Sequence, residues 1–258
     1  MPSPKHIHLP AGFFYQMKFP FITSFLALLL GLGASVHAAV VLNQILPPAS
    51  YPEYNGYASQ RYTDAGYAYA DCAVVDDFTV TDNTLDLSSI SAVVIGFGYY
   101  FKSFADVSDW EVAIYSSLNA AHTNTTGDVF DVTVPVSSAT VSGTYSANGD
   151  MNALLTLPVN LALPAAGTYY LGVIAQNSIY GNGEVGIYDE GSAGGGNAYE
   201  MNPGGMSIFG DQTETPLGND AAYEILGGPA AVPEPSASLL LAAVGVGAAF
   251  LAYRRKTA

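Results

Sequence analysis

Hydrophobic and polar positions along this chain fall into short runs of strand length, bracketed by one long apolar stretch near each end. Ala39 to Leu46 reads as an opening strand that Pro47-Pro48 terminates. Ser50 to Tyr69 is rich in Tyr, Gly, Ser and Asn without helical periodicity, which predicts an irregular, aromatic-laden loop. Ala73 to Val80 places Val74, Val75, Phe78 and Val80 around Asp76-Asp77, and Asp82-Asn83 marks a turn. Ile90 to Phe101 is almost continuously apolar and predicts a buried strand that bends or bulges at Gly96 and Gly98. Trp110 to Tyr115 sets Trp110, Val112 and Ile114 against Glu111, Ala113 and Tyr115, the period-two signature of a half-buried strand.

The second half continues in the same manner. Val129 to Val136 alternates, with Pro135 suiting an edge. Thr140 to Tyr145 is followed by a turn at Asn148-Gly149 and a strand from Met151 to Leu157. Thr168 to Ala175 reads as a central buried strand, and Glu184 to Asp189 follows a turn at Gly181 to Gly183. Gly191 to Gly218 is loop-rich, with a weak strand at Ala198 to Met201; Ala221 to Leu226 closes the series before the linker Gly227-Gly228-Pro229. Short strands, regular turns and no convincing amphipathic helix predict an all-β fold, a β-sandwich from 39 to 229, jelly-roll-like by analogy. Spacing alone does not order the strands.

The apolar stretches at the ends differ in grammar. Lys18 precedes apolar Phe19 to Leu32, and Val36-His37-Ala38 offers small residues where a signal peptidase looks, so cleavage is expected between Ala38 and Ala39. Residues 1–38 are thus a secretory signal region. Met1 to Gln16 fits no signal pattern, which points to Met17 as the true start. At the other end, Val232-Pro233-Glu234-Pro235 leads into an apolar segment from Ser236 to Tyr253, followed by Arg254-Arg255-Lys256. The 17 residues from Ala237 to Tyr253 carry no charge and, as a helix, span about 25 Å, the short end of a bilayer crossing. The basic triplet behind them resists translocation and stays cytoplasmic.

This C-terminal order of motif, hydrophobic helix and Arg-rich cluster over residues 230–258 resembles the PEP-CTERM sorting signal of Gram-negative bacteria. The resemblance implies Val232 to Pro235 as recognition motif, 236–253 as transmembrane helix and Arg254, Arg255 and Lys256 as the stop. It further implies processing by exosortase after passage through the secretion translocon, an inner-membrane-anchored intermediate, and delivery to the cell surface or an exopolysaccharide matrix. The strand Asp76-Asp77-Phe78-Thr79-Val80 and the closing Ala222-Tyr223-Glu224-Ile225 before a Gly-Gly-Pro spacer are also similar to globular parts of such proteins.

Charge narrows the partners. All 22 acidic residues lie between Glu53 and Glu234, where only Arg61 and Lys102 oppose them, so that region is near −20 against −15 for the whole chain. Such a surface repels phosphate backbones and excludes nucleic acid. Cys72 is the one cysteine, so no disulfide can staple the body; its apolar, cation-free neighbourhood predicts an inert buried thiol. His122 is the sole histidine after the signal region, set in a polar loop without a nucleophile motif. Carboxylates at Asp76-Asp77, Asp106 and Asp109, Asp128 and Asp131, and Asp189-Glu190 could serve a glycosidase, but adjacent strand residues face opposite ways. Asp106, Asp109, Asp128 and Asp131 could instead hold calcium loosely, without matching a calcium-loop spacing. Tyr51, Tyr54, Tyr57, Tyr62, Tyr67 and Tyr69, beside Asn55, Gln60 and Arg61, either cover the sandwich or form a sugar-stacking surface. The expectation is a non-catalytic surface or matrix protein with no required cofactor; the alternative is a polysaccharide-binding lectin or polysaccharide-acting enzyme.

Overall fold

The computed structural model describes residues 38–47, 56–81, 85–97, 100–143, 151–189, 198–204 and 214–229. The chain divides into two units, Met1–His37 and Ala38–Ala258, and every described residue lies in the second. The strands are β1 (Ala39–Asn43), β2 (Gly56–Ala58), β3 (Gln60–Tyr62), β4 (Ala73–Val80), β5 (Leu85–Phe97), β6 (Asp109–Tyr115) and β7 (Phe130–Pro135). They continue with β8 (Thr140–Ser142), β9 (Asn152–Ala162), β10 (Gly167–Asn177), β11 (Glu184–Tyr188), β12 (Tyr199–Met201), β13 (Glu214–Pro216) and β14 (Tyr223–Pro229). Among the described residues two short α-helices intervene, α1 (Leu118–Thr123) and α2 (Ile179–Asn182).

Two sheets result. In the first, β9 lines one edge of β5 and carries β8 outside it. The other edge of β5 is shared end to end, by β14 along Leu85–Ala92 and by β11 along Val94–Phe97. Outside these lie β1 and β2 respectively. The second sheet runs β13-β12-β4-β10-β6-β7, with β3 added in parallel against the last residues of β10. Every other pairing is antiparallel.

Alternation along the strands builds the core. Val74, Phe78 and Val80 of β4, Trp110, Val112 and Ile114 of β6, and Leu171 and Val173 of β10 meet Ile90, Val94, Leu155, Leu157, Ile187 and Ile225 from the facing sheet in one apolar cluster. Burying each large aliphatic or aromatic side chain contributes about 1.5–3 kcal/mol, and with Cys72 unbridged this packing carries the stability.

Several expectations shift. The 50–69 stretch, expected as loop, contains β2 and β3, one extended segment that leaves the first sheet at Ala58 and enters the second at Gln60, turning the corner at Ser59. The irregularity of β5 lies between Leu87 and Ser89, not at Gly96, and Gly98 falls outside the described residues. That bulge switches the phase of the strand, so Leu87 and Ile90 share the core face although they lie three positions apart. The run is continuously apolar because its other face is covered too: Val93 and Ile95 pack with Tyr188 and Ala222, under Ile45 and Leu46. Likewise β6 is buried on both faces rather than half-buried, since Ala113 and Tyr115 lie with Ile174, Met201 and Ala121 of α1. The turn expected at Gly181 to Gly183 is α2, ended by Gly183 at φ 72°, and β13 lies in a region expected as loop. Asp82-Asn83, Asn148-Gly149 and the 191–196 glycine tract lie outside the described residues.

Candidate functional site

The polar groups inside the body are organised first by a break in the second sheet. The β4–β10 ladder ends at the Gly172–Val75 pair, and the next rung would join Val173 to Val74. Two hydroxyls stand in that rung instead. Tyr223 of β14 reaches across from the first sheet, its Oη donating to the Val74 carbonyl at 2.8 Å and accepting from the Val173 N–H at 3.3 Å. Ser59 Oγ donates to the Val173 carbonyl at 2.6 Å and accepts from the Val74 N–H at 3.1 Å. All four buried backbone groups are thereby satisfied where the chain switches sheets, as the cost of an orphaned buried amide requires.

Buried carboxylates form three further groups. Asp76 points inward from β4 and accepts from the N–H groups of Ala221 and Asp77, each at 2.8 Å. Burial pushes its carboxyl up to about 7, against the pull of those N–H groups and with help from Asp220. Glu200 of β12 is raised to about 7 by burial and by Glu184, whose carboxylate accepts from the Tyr62 hydroxyl. On the outer face of the second sheet, Glu111 is raised to about 8 by burial and by Asp131, opposed by Arg61 at 2.6 Å. Each folded-state value lies above the ordinary carboxylate range, so protonation favours the fold. The stabilisation is full below about pH 4 and is lost as pH rises through 7 to 8. The midpoint of urea unfolding is therefore expected to be higher at pH 5 than at pH 8.5; a midpoint that rises over that interval contradicts this assignment.

The residues singled out from sequence are dispersed. Cys72 is buried and its thiol pushed up by that burial, in keeping with an unreactive group. His122 lies on the last turn of α1, not in a loop, with Nδ1 3.2 Å from Glu214 of β13. Asp76 and Asp77 face opposite ways, one buried and one partly exposed. Asp128 accepts from Ser116, while Asp109 and Asp131 stand opposite Pro135 and Ala113, apart along the β6–β7 ladder. Among the described residues, no three of His, Cys, Asp and Glu gather as a metal-holding group.

The tyrosines divide. Tyr51 and Tyr54 are outside the described residues, Tyr62 is buried, and Tyr57 is half-buried. Tyr67 and Tyr69 stack at 5.9 Å with 24° between their planes, and Tyr67 meets Tyr180 of α2 edge-on at 5.6 Å. Tyr180 was missed by sequence reasoning, because 111 positions separate it from Tyr69 and only the parallel β3–β10 pairing brings the two loops together.

Both expected processing junctions flank one pair of strands. Exposed Ala39 opens β1 and pairs with Gly227 of β14, which ends at Pro229. The expected recognition motif, apolar segment and basic stop at 232–256 lie outside the described residues, as does the signal segment before Ala38. Among the described residues no helix is long and apolar enough to cross a membrane. A family model for the PEP-CTERM protein-sorting motif matches residues 231–256. The chain is a PEP-CTERM sorting-signal protein. The match covers about a tenth of the chain and starts two residues after β14 ends. As a PEP-CTERM protein it is exported, processed by exosortase, and reaches the cell surface. Neither the curated proteins nor the solved structures compared with the chain yield a match.

Proposed function

We propose that this PEP-CTERM protein is a non-catalytic structural or adhesive component of the cell surface or its extracellular matrix. The observation that carries the reading is the sorting signal joined directly to the last strand of an acidic β body. In this reading the translocon exports the chain and signal peptidase cuts between Ala38 and Ala39. The 236–253 segment then holds the chain in the inner membrane with Arg254, Arg255 and Lys256 inside, and exosortase cuts near Val232 to Pro235. We read the body as a jelly-roll β-sandwich. The supporting pattern is the pair of strand orders β1-β14-β5-β9 and β4-β10-β6-β7; these eight strands, taken in chain order, alternate between the sheets except from β6 to β7.

Replacing Pro233-Glu234-Pro235 by three alanines is expected to leave an uncleaved form of higher mass in the membrane fraction. Unchanged size and fractionation, followed by immunoblot of fractionated cells, would sink the sorting mechanism. The second reading, a polysaccharide-binding lectin, is favoured by the exposed tyrosines; turnover of a polysaccharide by the purified protein would instead make it an enzyme.

A further inference from the structure

We infer that Tyr67, Tyr69 and Tyr180 form a binding platform for a neutral polysaccharide, built at the end of the body opposite Ala39 and Pro229. This deepens the surface-component reading and rests on it. Tyr69 is 43% exposed and Tyr180 62% exposed, so large aromatic faces are held in water. They are held firmly. The Tyr67 and Tyr180 hydroxyls hydrogen-bond each other. The short helix carrying Tyr180 is braced from two sides: Asp64 accepts from Ser178 Oγ at 2.8 Å and from the Ile179 N–H at 2.7 Å. Lys102 Nζ donates to the Gly181 carbonyl at 2.6 Å, and Asn182 is tied to the backbone of Lys102 and Ser103. A mobile loop needs no such bracing, whereas a preorganised platform loses little entropy on binding.

Chemistry selects the occupant. Flat aromatic faces with hydroxyl rims suit pyranose rings, whose C–H faces stack while their hydroxyls hydrogen-bond. Lys102, the one lysine among the described residues, is committed to Gly181, and a chain of net charge −15 repels anionic polymers. Position agrees. The first residue of β10, Gly167, lies four residues after Leu163, whose N–H donates to the Leu85 carbonyl, and Leu85 pairs with Pro229 at the tether. The strand then runs to Asn177, and Tyr180 follows. Its length of about 33 Å separates the platform from that end of the body.

The test is affinity electrophoresis of the purified full chain in detergent through gels containing dextran, mannan, xylan or anionic alginate. Retardation by at least one neutral polymer is expected. Tyr69→Ala and Tyr180→Ala should each weaken it roughly tenfold or more, as loss of an aromatic anchor does. Tyr180→Phe should keep most of it, and Val141→Ala, on exposed β8, all of it. Absence of retardation by every neutral polymer, retardation by alginate alone, or equal binding by the alanine variants overturns the platform. Surface labelling of intact cells reads the other layer: a protein that reaches the surface but binds nothing sinks the platform only, and one that never arrives sinks the sorting reading.

Discussion

Tyr223→Phe is expected to destabilise the body by about 2–4 kcal/mol, although it deletes one oxygen from a ring that stays buried. The Val74 carbonyl and Val173 N–H, both served by that oxygen, would lose their partner in the buried interior, at roughly 1–3 kcal/mol each. Ser59→Ala should cost a similar amount through the other half of the same rung. The double variant decides the mechanism. With both hydroxyls gone, Val74 and Val173 can close on each other and complete the ladder, so the combined loss should fall short of the sum of the two. Urea unfolding of the four proteins measures this coupling. Strict additivity would mean that the hydroxyls act independently and that the rung cannot close.

Arg61→Met should destabilise the body at pH 8.5, by up to about 1 kcal/mol more than at pH 5, because the buried carboxylate left without its partner must then take up a proton. Glu111 is 1% exposed; Arg61 holds it at 2.6 Å and Gln176 donates to it at 3.2 Å. The same guanidinium donates to Thr125 at 3.3 Å and Thr126 at 3.0 Å, pinning the loop whose Thr125 carbonyl accepts from the Tyr115 hydroxyl. The loss should shrink at pH 5. Glu111, raised to about 8 by burial, is then protonated and needs no counter-charge. Adding Glu111→Gln to Arg61→Met should remove that pH dependence. A deficit equal at both pH values and untouched by Glu111→Gln would place the effect in packing of the arginine stem instead.

Arg61 shows how a residue can be visible in a sequence while its task is not. It is conspicuous as one of two cations among the acidic residues and sits beside a run of tyrosines. Its partner lies fifty positions on, facing what was expected to be the solvent side of β6. The period-two pattern at Trp110 to Tyr115 was real, but Glu111 and Tyr115 looked exposed because polarity was the only guide. Burial of a charged residue depends on what covers it, and α1 with the 124–126 loop is supplied by the fold.

What the sequence by itself determined was whatever depends on local order. Strand-length alternation made the body all-β; lone Cys72 left it without disulfides. The Val-Pro-Glu-Pro motif, apolar run and basic cluster read as a sorting signal because all three are contiguous. Tertiary structure alone decided which distant groups meet: Tyr223 and Ser59 in the broken rung, Arg61 on Glu111, Tyr180 beside Tyr67. Those contacts follow from sheet order and from a strand that changes sheets at Ser59. Neither leaves a periodic trace in the chain, since pairing energy depends on neighbours in space and not on spacing along the backbone.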